Sequence, residues 1–224
     1  MLQYTVMLKI IDAVRETLSS SEIALTALSE GYLNLSAYAE TICKDIEEKT
    51  KKPVRTGTIV VALSRLTPGI RKQAPLLPHV AFENISVKSG LLEIAFDKTG
   101  ESRKKLKSFY DDPIFAQADF FTITQGVGET SIIAPQELKS RILKILGPQK
   151  PKLLLENLAS LTIKIDGKHI NIPNTFYAIM RHLAVRRINI VEAVSTYTEL
   201  TFILNAKDLE EAFILFNRIF QKKR

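Results

Sequence analysis

"ETSIIAPQELKSRILKIL", residues 129–146, and "ELTFILNAKDLEEAFILF", residues 199–216, carry one pattern twice. Each opens on a glutamate, runs through an apolar stretch of strand character, turns over a short polar step and enters an amphipathic helix. The two stretches are offset by about 70 residues, with one extra residue before the helix in the later copy. This is the signature of a duplicated module of about 70 residues, so the fold is to be read as two related units.

Working outward, the first copy begins with "HVAFENISVKSGLLEIAFDK", residues 79–98, whose period-two apolar residues predict a hairpin turning at Lys88–Gly90. That hairpin is either a wing belonging to what precedes it or the opening strands of the first repeat. A basic helix follows from Glu101 to about Tyr110, capped through Thr99 and ended by Pro113. "ADFFTITQ", residues 118–125, is a strand, "GVGE" a turn, and 130–135 a second strand leading into the helix 136–146. "GPQKPK", residues 147–152, links the copies. The second copy then reads strand 158–165, loop "DGKHINIP", a helix opened by Pro173, a strand pair 188–197 and 199–206, and a final helix from Asp208. Strand, helix, strand, strand, helix thus occurs twice.

The stretch "HLAVRRINIVEAVSTYTELTFILNAKDLEEAFILFNRIF", residues 182–220, resembles the ACT domain, most of all the tandem pair that forms the regulatory part of aspartokinases. Ile188, Asn189, Ile190, Ser195, Thr196 and Asp208 stand where the pattern places them. About 60 residues of the second copy carry the resemblance, and the first copy follows it in outline. It implies a ferredoxin-like βαββαβ topology and a regulatory amino-acid site without catalysis. Carried over, that site comprises Asp166, Asn174 and Thr175 of the loop and helix start, beside Pro173, and Asn189, Ile190 and Glu192 of the second strand. A carboxylate would meet the amides opening the helix, and an ammonium would meet a strand-edge carbonyl or Glu192. Pro173 and Asn174 occupy the junction where the family usually has glycine, and Asn174 can equally be a plain helix cap.

The N-terminal part is of another kind. Four helices are expected: Gln3–Leu18, Glu22–Glu30 capped by the serine run 19–21 and closed by Gly31, a third capped by Asn34 or Ser36, and Thr56–Leu66 after Pro53. "TPGIRKQAPLLP", residues 67–78, packs three prolines and a glycine into twelve positions and reads as a linker. Residues 44–72 hold eight basic side chains against three acidic ones. The stretch 35–66 resembles the helix-turn-helix of small winged-helix regulators. That implies a DNA face of Lys51 and Lys52 on phosphates, with Arg55, Thr56, Thr58 and Arg65 on the last helix toward base edges. The competing reading is a helical bundle whose charged rim is solvated.

Composition bounds the rest. The chain of 224 residues is 46% hydrophobic and carries a formal charge of +7, which permits an acidic partner without requiring one. A single cysteine, Cys43, on the mostly apolar third helix, rules out an intrachain disulfide framework and a multi-cysteine zinc site, so a cytoplasmic location is expected. No run of about 18 apolar residues occurs and the first residues do not form a signal peptide, so no membrane partner is expected. His79, His169 and His182 are scattered, without carboxylates or cysteines at ligand spacing, and are read as surface residues. "TQGVGET", residues 124–130, is followed by a strand and does not form a nucleotide loop.

The expectation is therefore an α+β protein. It has a winged-helix-like helical domain over 1–74 and two ferredoxin-like ACT repeats over 79–147 and 152–224. It is read as a non-enzymatic transcriptional regulator without cofactor, binding DNA and an amino-acid effector as a homodimer. A protein-docking scaffold is the alternative.

Overall fold

The computed structural model describes residues 8–73, 76–148 and 150–221, and the chain divides into two compact units, Met1–Leu76 and Leu77–Arg224.

The first unit consists of α1 (Ile10–Ser19), α2 (Glu22–Glu30), α3 (Leu35–Thr50) and α4 (Thr56–Arg71). Local chemistry sets most boundaries. Ser21 Oγ accepts from the Ala24 amide, Gly31 closes α2 at φ +83°, and the Asn34 side chain accepts from the amides of Ser36 and Ala37. Expected helix residues 3–7 lie outside the described residues, and α1 begins at Ile10. The core of Val14, Leu18, Leu28, Ile42, Ile46, Ile59 and Leu63 is buried among the four helices. One expectation fails here. Thr67–Pro68–Gly69 does not end α4, which runs on to Arg71 with Pro68 inside it. Proline withholds one amide near the end of the helix, Pro68 faces solvent, and the Thr67 hydroxyl donates to the Leu63 carbonyl at 2.9 Å. The described residues of this unit contain no strand, and residues 82–97, where a wing was one of two expectations, form β1 of the second unit.

The second unit contains β1 (Phe82–Asp97), α5 (Gly100–Asp111), α6 (Pro113–Ala116), β2 (Thr122–Gln125), β3 (Glu129–Pro135), α7 (Lys139–Leu146), β4 (Leu153–Ile165), α8 (Thr175–Val185), β5 (Glu192–Ser195), β6 (Glu199–Asn205) and α9 (Leu209–Gln221). They form one antiparallel sheet in the order β2-β3-β1-β4-β6-β5. The expected hairpin at Lys88–Gly90 is a single strand instead. Gly90 takes φ +71° and bends β1 without reversing it, and the ladder to β4 shifts register between Lys88 and Leu91. Asn157, at φ +57°, lies within β4.

The bend lets each long strand serve two halves of the sheet. Residues 91–97 of β1 pair with β3, while 82–88 pair with residues 160–165 of β4. Accordingly Leu92, Ile94 and Phe96 pack with α5 and α7, whereas Phe82 joins Leu161, Ile163, Phe202 and Phe216 beneath α8 and α9. The duplication is closer than the sequence suggests. β2 and β5, β3 and β6, and the starts of α7 and α9 are all offset by 70, with no extra residue before the helix. Buried Ile142 and Leu146 correspond to buried Ala212 and Phe216.

The opposite face closes on itself. Strands lie about 4.8 Å apart, so β3 and β5, four spacings distant, would be about 19 Å apart in a flat sheet. Yet Ser131 on β3 lies 3.2 Å from Glu192 on β5, and Leu91, Ile133, Leu158 and Ile203 fill a small core between the halves. The sheet is therefore strongly curled.

Candidate functional site

In the second half, β4 and α8 are joined by nine residues, 166–174, folded over a 3₁₀ turn at Gly167–Asn171. This connector and the β5–β6 turn enclose a cavity of about 420 Å³ lined by Ile165, His169, Ile170, Ile172, Asn174, Thr175, Phe176, Tyr177, Ser195, Thr196 and Tyr197. That volume lies within the usual small-molecule range of about 300–1,000 Å³. Among the described residues no Asp, Glu, Lys or Arg lines it. Ile170, Phe176, Tyr177 and Tyr197 are exposed around it.

Asn174 precedes α8 at φ +64° and makes no side-chain cap hydrogen bond to the helix. It adopts the left-handed backbone for which glycine is the usual choice, and asparagine tolerates that region better than most residues. The absence of glycine at this junction therefore leaves the turn geometry available. Thr175 is buried, its hydroxyl donating to the Ile172 carbonyl at 2.8 Å and lying 3.2 Å from the His169 carbonyl, so its role is to hold the connector. Gly167 makes room for Tyr197, because a Cβ there would stand 2.7 Å from the Tyr197 hydroxyl.

The other expected ligand residues are dispersed. Asp166 caps the 3₁₀ turn through the Lys168 amide at 2.9 Å and pairs with the Lys168 ammonium, which holds its carboxyl below the usual range. Asn189 and Ile190 line a separate cavity of about 290 Å³ that shares Tyr177. Glu192 lies on the inner face of the sheet, beside Ser131. Only Asn174 and Thr175 of the expected set line the larger cavity. Sequence reasoning missed Tyr177 and Tyr197 as lining residues, and it placed His169 at the surface, whereas His169 is only 3% exposed. Apolar residues alternating through "HINIP" were the available signal for an inward-turned connector.

A further cavity of about 400 Å³ borders α9, lined by Arg186, Lys207, Glu210, Glu211, Ile214, Leu215 and Arg218. Its charges are mixed, and Arg186 reaches Glu211 at 3.9 Å. Among the described residues no group of three or more His, Cys, Asp or Glu side chains is placed to hold a metal, and no helix is long and apolar enough to cross a membrane.

In the helical unit, Lys51, Lys52, Arg55, Thr56, Thr58 and Arg65 are all exposed. Two contacts hold the turn between α3 and α4. Glu47 Oε1 accepts from the Val54 amide at 2.9 Å, and buried Val54 pins the centre. Thr58 and Arg65 share one face of α4 with Val61, 50% exposed, between them. Lys51, Lys52, Arg55 and Arg65 make no ion pair among the described residues. Lys49, which contributes to the local positive excess, is bound to Glu16, Asp45 and Thr17 and ties α3 to α1.

No protein-family model matches the sequence, and no curated protein does. Solved structures do. An aspartate kinase from Clostridium acetobutylicum, described as an allosteric enzyme, matches at 17% identity and a TM-score of 0.52, over 64% of this chain and 36% of its own. A structure of aspartokinase alpha and beta subunits matches at 18% and 0.51, over 63% and 99%. The ligand-free regulatory subunit of aspartate kinase from Thermus thermophilus matches at 16% and 0.51, over 62% and 98%. Nearly two thirds of this chain has the ACT-like fold of aspartokinase regulatory subunits. At these identities the likeness is one of fold, and the chain spans about a third of the Clostridium enzyme.

Proposed function

We propose that this chain is a non-enzymatic, ligand-sensing regulator. In this reading the ACT-like unit takes an amino-acid effector in the cavity at the start of α8, and the helical unit contacts DNA through α4. The observation that carries the effector half is the cavity itself, opening on a helix N-terminus without a side-chain cap within a fold shared with regulatory subunits. Amides of the first turn of α8 would receive the carboxylate. The hydroxyls of Ser195 and Thr196 would accept from the ammonium. With no charged residue in the lining, the effector's own side chain is uncharged and is covered by Phe176, Tyr177 and Tyr197. A lysine-like effector would bury an ammonium without a counter-charge, which is strongly unfavourable.

For the helical unit, the exposed and ion-pair-free Lys51, Lys52, Arg55 and Arg65 suit phosphates and base edges, with Thr56 and Thr58 as hydroxyl partners. A homodimer would place two such helices on two half-sites. The test has two arms. Thermal unfolding of the full chain with each common amino acid should show a rise in Tm for an uncharged, aromatic or branched one. Mobility shift with genomic fragments should give binding that weakens steeply with salt and is lost in Arg55→Ala/Arg65→Ala. A second reading, docking of a protein partner on the helical unit, is favoured by exposed Ile23 (78%), Tyr32 (82%) and Val61. Salt-insensitive capture of a protein, without DNA binding, would establish it.

A further inference from the structure

The curled inner face of the sheet holds two carboxylates where the small apolar core would otherwise continue. Glu93 on β1 is 6% exposed. Ser131 Oγ on β3 lies 2.7 Å from Glu93 Oε1 and 3.2 Å from Glu192 Oε2 on β5. A hydroxyl has one hydrogen, so it can donate to one carboxylate only. The second contact is favourable when a carboxyl group carries a proton and donates to the serine oxygen. Glu93 Oε2, buried and without a hydrogen-bond partner among the described residues, adds to the cost of a charge there. We propose that Glu93, Ser131 and Glu192 form a proton-binding clasp: one shared proton holds β5 against β1 and β3, and its loss loosens the two halves of the sheet.

The surroundings support this. The Glu93 pKa is raised from an ordinary 4.5 to about 7: burial is the main cause, the Ser131 hydrogen bond opposes it, and neighbouring Glu192 adds to the rise. Other charged groups on neighbouring elements are already engaged. Lys88 of β1 binds Asp119, and Asp97 and Glu129 share Lys152. Glu156 of β4 holds Lys139, and Lys164 reaches Glu83. Glu199 stands at the far end of β6, opposite Lys164. The register sets Glu93 opposite Ile133 and Leu155, and Glu192 opposite Ile203, all apolar. Among the described residues no cation pairs with Glu93 to replace the proton.

The sign follows from linkage. The folded chain holds the Glu93 proton more tightly than the unfolded chain, so between about pH 4.5 and 7 the folded state binds more protons. The clasp therefore contributes in full below that window and is lost as pH rises through about 7.

The test is thermal unfolding of the full chain from pH 5 to 8.5 for the wild type, Glu93→Gln and Glu192→Gln. Glutamine keeps the shape and a donor while removing the titration. Wild-type Tm should fall by roughly 4–8 °C relative to Glu93→Gln across the window, so that Glu93→Gln is the more stable protein at pH 8. If Glu93→Gln does not fold, carboxyl NMR of the wild type decides, and Glu93 should titrate near neutrality. Parallel Tm profiles for wild type and variants, or both glutamates titrating in the ordinary range, overturn the clasp. So does a rise in wild-type Tm at pH 8 with calcium chloride that erases the pH dependence, because a cation would then bridge the pair.

Discussion

The two halves of the ACT-like unit have the same strands in the same register but differ at the step from first strand to first helix. In the first half, only Lys98 and Thr99 separate β1 from α5, and a capping box closes the helix. Thr99 Oγ1 accepts from the Ser102 amide at 3.0 Å, while Ser102 Oγ accepts from the Thr99 amide at 2.8 Å. In the second half, nine residues intervene, α8 has no side-chain cap, and a cavity opens beside it. Both halves must keep their core positions, because interiors tolerate little change of volume. The connectors lie outside that constraint. A duplicated module can thus change function at one loop while the sheet stays as it was, and this chain is expected to hold one effector site rather than two.

The largest expected effect tests the shared framework. Phe216→Ala and Leu146→Ala empty corresponding, fully buried positions and should cost about 3–5 and about 2–5 kcal/mol in urea unfolding. A loss below about 1 kcal/mol in either would mean that the two halves are not equivalent scaffolds. Next comes the site. Gly167→Ala drives a methyl against the Tyr197 ring and should weaken effector binding tenfold or more in calorimetry, with a stoichiometry of about one per wild-type chain. Two effectors per chain would refute the asymmetry. The smallest effects concern the helix starts. Thr99→Ala removes a cap and should destabilise by about 1 kcal/mol, whereas Asn174→Gly, at a left-handed position without a cap bond, should change stability by no more than a few tenths. Equal losses at both would show that α8 is capped after all.

How far the sequence was legible follows from the range of each interaction. Ser21, Gly31, Asn34 and Thr99 mark helix ends through contacts within three residues, and all were readable. Gly90 and Pro68 misled, because the same residue types serve as a turn or a bend, a stop or a tolerated exposed position, according to what packs against the neighbouring chain. In the candidate site, the resemblance reached Asn174 and Thr175 but scattered the rest, since Asp166 satisfies its own turn and Glu192 points to the other face.

The sequence by itself determined that there are helices followed by a duplicated strand-helix unit, that the basic residues gather around the α3–α4 turn, and that no multi-cysteine chemistry is present. Those features rest on composition, periodicity and local hydrogen bonds. Only the tertiary structure decided that one bent strand replaces a hairpin, that the connector 166–174 encloses a cavity, and that Glu93 meets Glu192 across a curled sheet. Each of these depends on residues tens of positions apart being brought together by core packing, and no local pattern encodes the curl that joins them.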